Sequence, residues 1–213
     1  MPTTPAMDSI VRLTSGAPAA ALLLAAIVAF SALGLYARPA LIERHLLRPY
    51  GLVQRGDYLT LVTSGFIHAD LAHLLLNCFT LWSFGFGLER RIGTTSFLVL
   101  YAAGLLVSSV ATWLLHRRQP AYASLGASGA ILAVLFASVV VAPTASLYLL
   151  PVPVPIPAPL FAIGYLAYSV LAGRARVGRI NHDAHVAGAL TGLAYMAITM
   201  PGSLQRAFGA WLG

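Results

Sequence analysis

Residues 126–142 read GASGAILAVLFASVVVA, a serine set among small residues at the mouth of an apolar stretch. Residues 183–200, DAHVAGALTGLAYMAITM, repeat the device with His185 near the start. A third polar set, His68, His73 and Asn77, opens an earlier hydrophobic stretch. Polar and ionisable side chains are costly in a bilayer, so they carry a functional hypothesis by default. A serine and a histidine at the mouths of two membrane helices point to hydrolytic chemistry inside the lipid.

Composition sets the class. The chain has 213 residues, 59% of them hydrophobic and 9% charged, with a mean hydropathy of +0.82. A soluble domain carries roughly a quarter charged residues. This composition predicts an all-α polytopic membrane protein, and at about 20 residues per crossing the length accommodates a six-transmembrane-helix bundle in one domain. The net charge of +7 comes from arginine alone. The arginines flank apolar stretches, which fits anchoring at the lipid bilayer surface and not nucleic-acid binding. The single Cys78 excludes an intrachain disulfide and reads as a small buried hydrophobe.

Six stretches can be drawn: 17–37, 69–88 (ending at Glu89-Arg90-Arg91), 95–115, 128–142, 157–172 and 183–200. The first resembles a signal peptide, but five more follow and no small-x-small site precedes Arg38. The expected organisation is a tail at 1–16, one membrane domain at 17–200 and a tail at 201–213. In the long first loop, Leu41 to Arg48 mixes apolar and charged residues as an interfacial helix does. The alternating prolines of 151–159 remove donors and disfavour helix, which predicts an extended segment, most simply a stiff hydrophobic linker.

His73 and Asn77 are four apart and share a helix face, whereas His68 falls about 140° round. His185, Gly188 and Gly192 form one stripe, and Gly129, Ala133 and Ala137 another. Small residues at this spacing let membrane helices approach closely. Packing the stripes together brings Ser128 to His185, the short distance that activation of a nucleophile by a base requires. Taken singly, each signal has a plainer reading: helix packing for Gly-Ala-Ser-Gly, a cap for the histidine, an interhelical hydrogen bond for Asn77. Asp183, two residues before His185, does not face it on a helix and reads as an N-cap. That leaves a dyad, with no metal or cofactor, since the Cys and His spacing offers no zinc set.

The combined pattern resembles the rhomboid intramembrane serine proteases over residues 56–199. It rests on His68-x4-His73-x3-Asn77, on Gly126-Ala127-Ser128-Gly129, and on Ala184-His185-x2-Gly188-x3-Gly192. The resemblance implies six helices around a water-filled cavity, with Ser128 as nucleophile and His185 as general base. His73, Asn77 and the backbone N–H of Ser128 would bind the oxyanion. His68 would be structural, alongside Gly126, Gly129, Gly188 and Gly192. The implied partners are transmembrane protein substrates, entering between the second and fifth helices past the stripes Phe79, Trp82, Phe86 and Phe161, Tyr165, Tyr168.

Two positions depart from the family pattern. Tyr58-Leu59-Thr60 stands where many members carry Trp-Arg, so anchoring of the first loop differs. Leu132 stands four residues after the serine, where an aromatic ring often stacks on the histidine.

Two rival functions are a catalytically inactive relative acting as a membrane chaperone and a small-solute transporter. Inactive relatives typically lose the serine or the histidine, and both are present here. A proton-coupled carrier needs a mid-membrane carboxylate, yet all six acidic residues fall in tails, loops or helix ends. On orientation, nine arginines lie on the Ser128/His185 side and four on the other, which favours a cytoplasmic site. Resemblance to bacterial members implies the reverse: a multi-pass protein of the cell (inner) membrane whose site faces the extracytoplasmic side.

Overall fold

The computed structural model describes residues 16–149, 152–175 and 180–212. Residues 1–15 with Arg12, residues 150–151, residues 176–179 with Arg176 and Arg179, and Gly213 lie outside the described residues. Among the described residues, four helices are long and apolar enough to cross a membrane: α1 (Pro18–Ala37), α5 (Leu71–Ile92), α6 (Thr94–His116) and α8 (Ala158–Ala175). The first loop carries three short helices, α2 (Ala40–His45), α3 (Leu52–Arg55) and α4 (Thr60–Thr63). Two further helices, α7 (Ser128–Val141) and α9 (His182–Thr199), bear the serine and the histidine, and α10 (Ser203–Leu212) ends the described chain. The protein is an all-α polytopic bundle, and the six expected stretches correspond to α1, α5, α6, α7, α8 and α9.

Helix α7 is the centre of the bundle. Eleven of its 14 residues are buried, and it packs against both α6 and α9. At about 1.5 Å per residue it spans roughly 21 Å, short of the roughly 30 Å hydrocarbon core. Its Ile131 and Val134 share one apolar cluster with Ile27, Leu81, Leu100 and Met196 of the surrounding helices. Leu75, Leu76, Trp82, Val99, Leu171 and Ile198 are exposed on the outside, the pattern expected where lipid is the solvent.

The second stretch does not stop at Glu89-Arg90-Arg91. Glu89 is fully buried, and its carboxylate accepts the N–H groups of Ala19 (3.0 Å) and Ala20 (2.7 Å) and the hydroxyl of Thr94 (2.8 Å). The first N–H groups of a helix lack intrahelical partners, and Ala17 offers α1 no side-chain cap. Glu89 supplies that cap from α5, which is why the helix carries a carboxylate past the apolar run.

The proline-rich segment is extended, as expected, but it is half of a hairpin. β1 (Ser146–Leu149) pairs antiparallel with β2 (Val152–Pro157), Leu147 opposite Ile156 and Tyr148 opposite Pro155. Prolines two apart put every missing donor on the same edge, leaving the other edge for the ladder. The segment 201–213, expected as a tail, is helical from Ser203. Leu204 and Phe208 stand exposed beside Gln205 and Arg206, the make-up of an interfacial helix.

Candidate active site

Ser128 opens α7 after a turn that suits glycine alone. Gly126 has φ +111°, and a Cβ there would stand 2.5 Å from Cε1 of His73. Three ties hold this turn to the first loop and its neighbours. Gly126 N–H donates to the carbonyl of Ser64 at 2.8 Å, and Leu47 and Ser124 exchange backbone hydrogen bonds at 2.9 and 3.0 Å. Ala127 N–H donates to Nε2 of His68 at 3.4 Å. The Leu47–Ser124 bridge therefore anchors a loop that lacks Trp-Arg, while Tyr58 and Leu59 are exposed.

His68 is fully buried, and its other nitrogen lies 2.9 Å from Oγ of Ser31 in α1. Because Nε2 accepts from Ala127, Nδ1 carries the proton and donates to Ser31, whose hydroxyl donates on to the Phe66 carbonyl (3.3 Å). Burial, with the charge of His73 second, pushes the His68 pKa down to about 3 and keeps the ring neutral. The 140° separation expected between His68 and His73 does not hold. Asp70 caps α5 by accepting from His73 N–H at 2.8 Å, so His68 precedes the helix and turns back. The two rings meet edge to face at 4.7 Å.

His185 lies in the first turn of α9. The N-cap is Asn181, whose side-chain oxygen accepts from Ala184 N–H at 3.0 Å. Its amide nitrogen donates to the hydroxyls of Thr112 and Ser124, both at 2.9 Å, joining α9 to α6 and the serine turn. Asp183 is not the cap: the helix starts at His182, which moves the capping position to Asn181. The Asp183 carboxylate instead meets Nε2 of His116 at 2.9 Å, and His116 stacks on Tyr122 at 3.7 Å.

Ser128 Oγ and His185 Nε2 are 2.8 Å apart. The two stripes deliver this distance. A Cβ on Gly188 would stand 2.0 Å from the Gly129 carbonyl oxygen, and one on Gly192 2.2 Å from that of Ala133. His73 faces the turn through Gly126. Asn77 is buried, and its amide donates to the His73 carbonyl at 3.0 Å, so one of its two protons stays within its own helix. A cavity of about 20 Å³ beside Ser128 is lined by Ser64, Ser108, Thr112, Ser124 and Asn181 among others. It is polar and large enough for one water molecule.

Residue patterns alone missed one contact at this site. The hydroxyl of Tyr165, expected only in an entry stripe, lies 2.9 Å from Nδ1 of His185, and the rings are 6.3 Å apart at 28°. The only hint in the chain was Leu132, which left His185 without an aromatic neighbour from its own side. The stripe on α5 also splits: Phe79 and Trp82 are exposed while Phe86 is buried in the core. A π-helical turn at Leu81–Gly85 intervenes. Its extra residue rotates the C-terminal part of α5 by about 100° relative to a regular helix.

A half-buried serine–histidine pair inside a polytopic helical bundle defines a class of membrane protein whose geometry a hydrolase could use. Comparison with known proteins narrows it: the family model described as the Rhomboid domain matches residues 55–202. The chain belongs to the rhomboid family. It is 33% identical over 156 residues to Rhomboid protein 1, mitochondrial, of Saccharomyces cerevisiae, covering 70% of this chain and 45% of that protein. Against RHOMBOID-like protein 12, mitochondrial, of Arabidopsis thaliana the identity is 34% over 153 residues, 63% of this chain and 44% of the relative. Rhomboid protease GluP of Bacillus subtilis matches at 37% over 91 residues, 43% of this chain and 17% of that protein. The chain thus spans less than half the length of these curated relatives.

Proposed function

We propose that the chain is an intramembrane serine endopeptidase that cleaves transmembrane segments of membrane proteins through a Ser128–His185 dyad. The observation that carries this reading is the 2.8 Å contact between Ser128 Oγ and His185 Nε2, inside a helix pair whose glycines leave no slack. With Nε2 as acceptor, the serine proton passes to His185 as Oγ bonds to the scissile carbonyl carbon. The imidazolium then gives that proton to the leaving amine nitrogen as the C–N bond breaks. Water attacks the resulting ester with His185 again taking a proton, and Ser128 is regenerated.

The negative charge on the former carbonyl oxygen needs donors. Ser128 N–H lies at a helix N-terminus, where free N–H groups and the helix dipole favour an anion. His73 and Asn77 are the side-chain donors in this reading. His68, Gly126, Gly129, Gly188 and Gly192 act as supports. No cofactor or metal enters the reaction. The catalytic unit is the membrane domain 17–200, with 1–16 and 201–213 as flanking tails.

We assign the protein to the cell (inner) membrane with the site on the extracytoplasmic side. The mitochondrial names of two relatives describe those proteins and leave the membrane of this one to experiment. The decisive assay combines fluorophosphonate labelling of the purified protein with cleavage of a generic transmembrane reporter in liposomes. Both should be positive. A folded protein negative in both is a non-catalytic relative, and the reading fails.

A further inference from the structure

We infer that Tyr165 is a positioning residue that fixes His185 through Nδ1, so that the base is held by α8 as well as by its own helix. The inference rests on the protease reading above. For Nε2 to accept the serine proton, the imidazole must carry its own proton on Nδ1, and that proton needs an acceptor. Tyr165 Oη is at 2.9 Å. A phenol oxygen can donate or accept; when it accepts from Nδ1–H, the contact holds the tautomer that leaves Nε2 free for the serine proton. The same oxygen accepts from both forms of the ring that bear Nδ1–H, including the imidazolium formed during attack.

The phenol is itself braced. Its ring stacks on Phe161 at 5.7 Å and 24°, meets Phe136 of α7 at 6.5 Å, and packs on the cluster containing Leu132 and Ala189. Leu132, buried one turn after Ser128, has neither ring nor polar atom to offer the histidine. The carboxylate nearest in sequence, Asp183, is engaged with His116 at 2.9 Å. Among the described residues, Tyr165 is the hydrogen-bond partner of Nδ1, so a group from a third helix completes what Ser128 and His185 leave open.

The test uses the full chain in liposomes with Tyr165→Phe, which keeps the ring and removes the oxygen, and Tyr165→Leu, which removes both. Losing one hydrogen bond of this kind should lower kcat on a transmembrane reporter, and the rate of fluorophosphonate labelling, by about tenfold in Tyr165→Phe. KM should stay unchanged, the acid limb of the labelling–pH profile should be displaced, and Tyr165→Leu should be slower still. A Tyr165→Phe protein with wild-type kcat and pH profile, or one altered in KM alone, overturns the role of Tyr165 and leaves the dyad standing. Unlabelled wild-type protein sinks the dyad and this inference together. Should Tyr165→Leu lose its fold, the Phe variant decides.

Discussion

Gly188 of α9 lies so close to Gly129 of α7 that a Cβ on Gly188 would stand 2.0 Å from the Gly129 carbonyl oxygen. No side chain fits that space without moving one helix from the other. The serine is one residue before Gly129 and the histidine three before Gly188, so backbone contact sets the spacing of the pair. Gly188→Ala should destabilise the protein by about 1–3 kcal/mol or more, as overpacking does, and slow labelling of Ser128. Gly164 in α8 has open space where a Cβ would go. Gly164→Ala should leave stability unchanged or raise it by up to about 1 kcal/mol. Thermal unfolding of both variants in mild detergent checks the contrast, and equal stability of the two would break the argument.

Ser128→Ala should abolish reporter cleavage and fluorophosphonate labelling while the protein stays folded. His185→Ala should be comparably inactive, because residues that act as a unit lose most activity when either is removed. Normal cleavage by Ser128→Ala in liposomes would remove the dyad from consideration.

His73→Ala and Asn77→Ala should each lower turnover by roughly 10²-fold if each supplies a donor to the oxyanion. The geometry makes this a sharper test for Asn77, which already donates to the His73 carbonyl at 3.0 Å. Kinetics of the two variants with intact Ser128 decide it. Near-wild-type turnover in Asn77→Ala would assign that side chain to helix structure alone.

The range of each interaction decides how much of the fold and site is legible in the chain. Long apolar runs are the strongest local signal, and the six stretches match the helices to within three residues at either end except at Ile92. Ser128 and His185 could be paired from sequence because the histidine sits on one small-residue stripe of regular spacing and the serine directly precedes the other. The π-helical turn at Leu81–Gly85 has no such spacing, so the placement of Phe86 in the core was not legible. Tyr165 and His185 meet because α8 and α9 pack, and no period in either helix encodes an oxygen aimed at Nδ1. Glu89 read as the end of a helix because a buried carboxylate is costly unless hydrogen-bonded. Its partners, Ala19, Ala20 and Thr94, become visible only once the bundle is assembled.

His68 makes part of the fold pH-sensitive. Its pKa in the folded protein lies at about 3, below the ordinary histidine value of about 6.5. The unfolded chain therefore binds more protons between those values, and stability is lost as pH falls from about 6.5 toward 3. Unfolding temperatures in detergent should drop over that range, and His68→Gln, which removes the titrating ring, should flatten the slope. An equally steep slope in the variant would assign the pH dependence to other groups.

Orientation is the remaining expectation, and two arguments oppose each other on it. Read from the sequence alone, nine arginines fall in segments assigned to the side of Ser128 and His185 and four in segments assigned to the other. Taken plainly, more arginine marks the cytoplasmic side. Four of the nine lie in the first loop, where Arg48 pairs with Glu43 and Arg55 with Asp57 and where α2 has no buried residue. This loop folds over its own helices and ties to the serine turn through Leu47 and Ser124, so it acts less as a flexible topogenic tail. The other five nearly balance the four opposite. Charge then selects neither orientation, and family resemblance implies a site on the outside. Alkaline phosphatase fused after Gly213 should be inactive in a bacterial host, because the C-terminus would stay in the cytoplasm. An active fusion on an intact, membrane-inserted protein would reverse the assignment and return the weight to the arginine count.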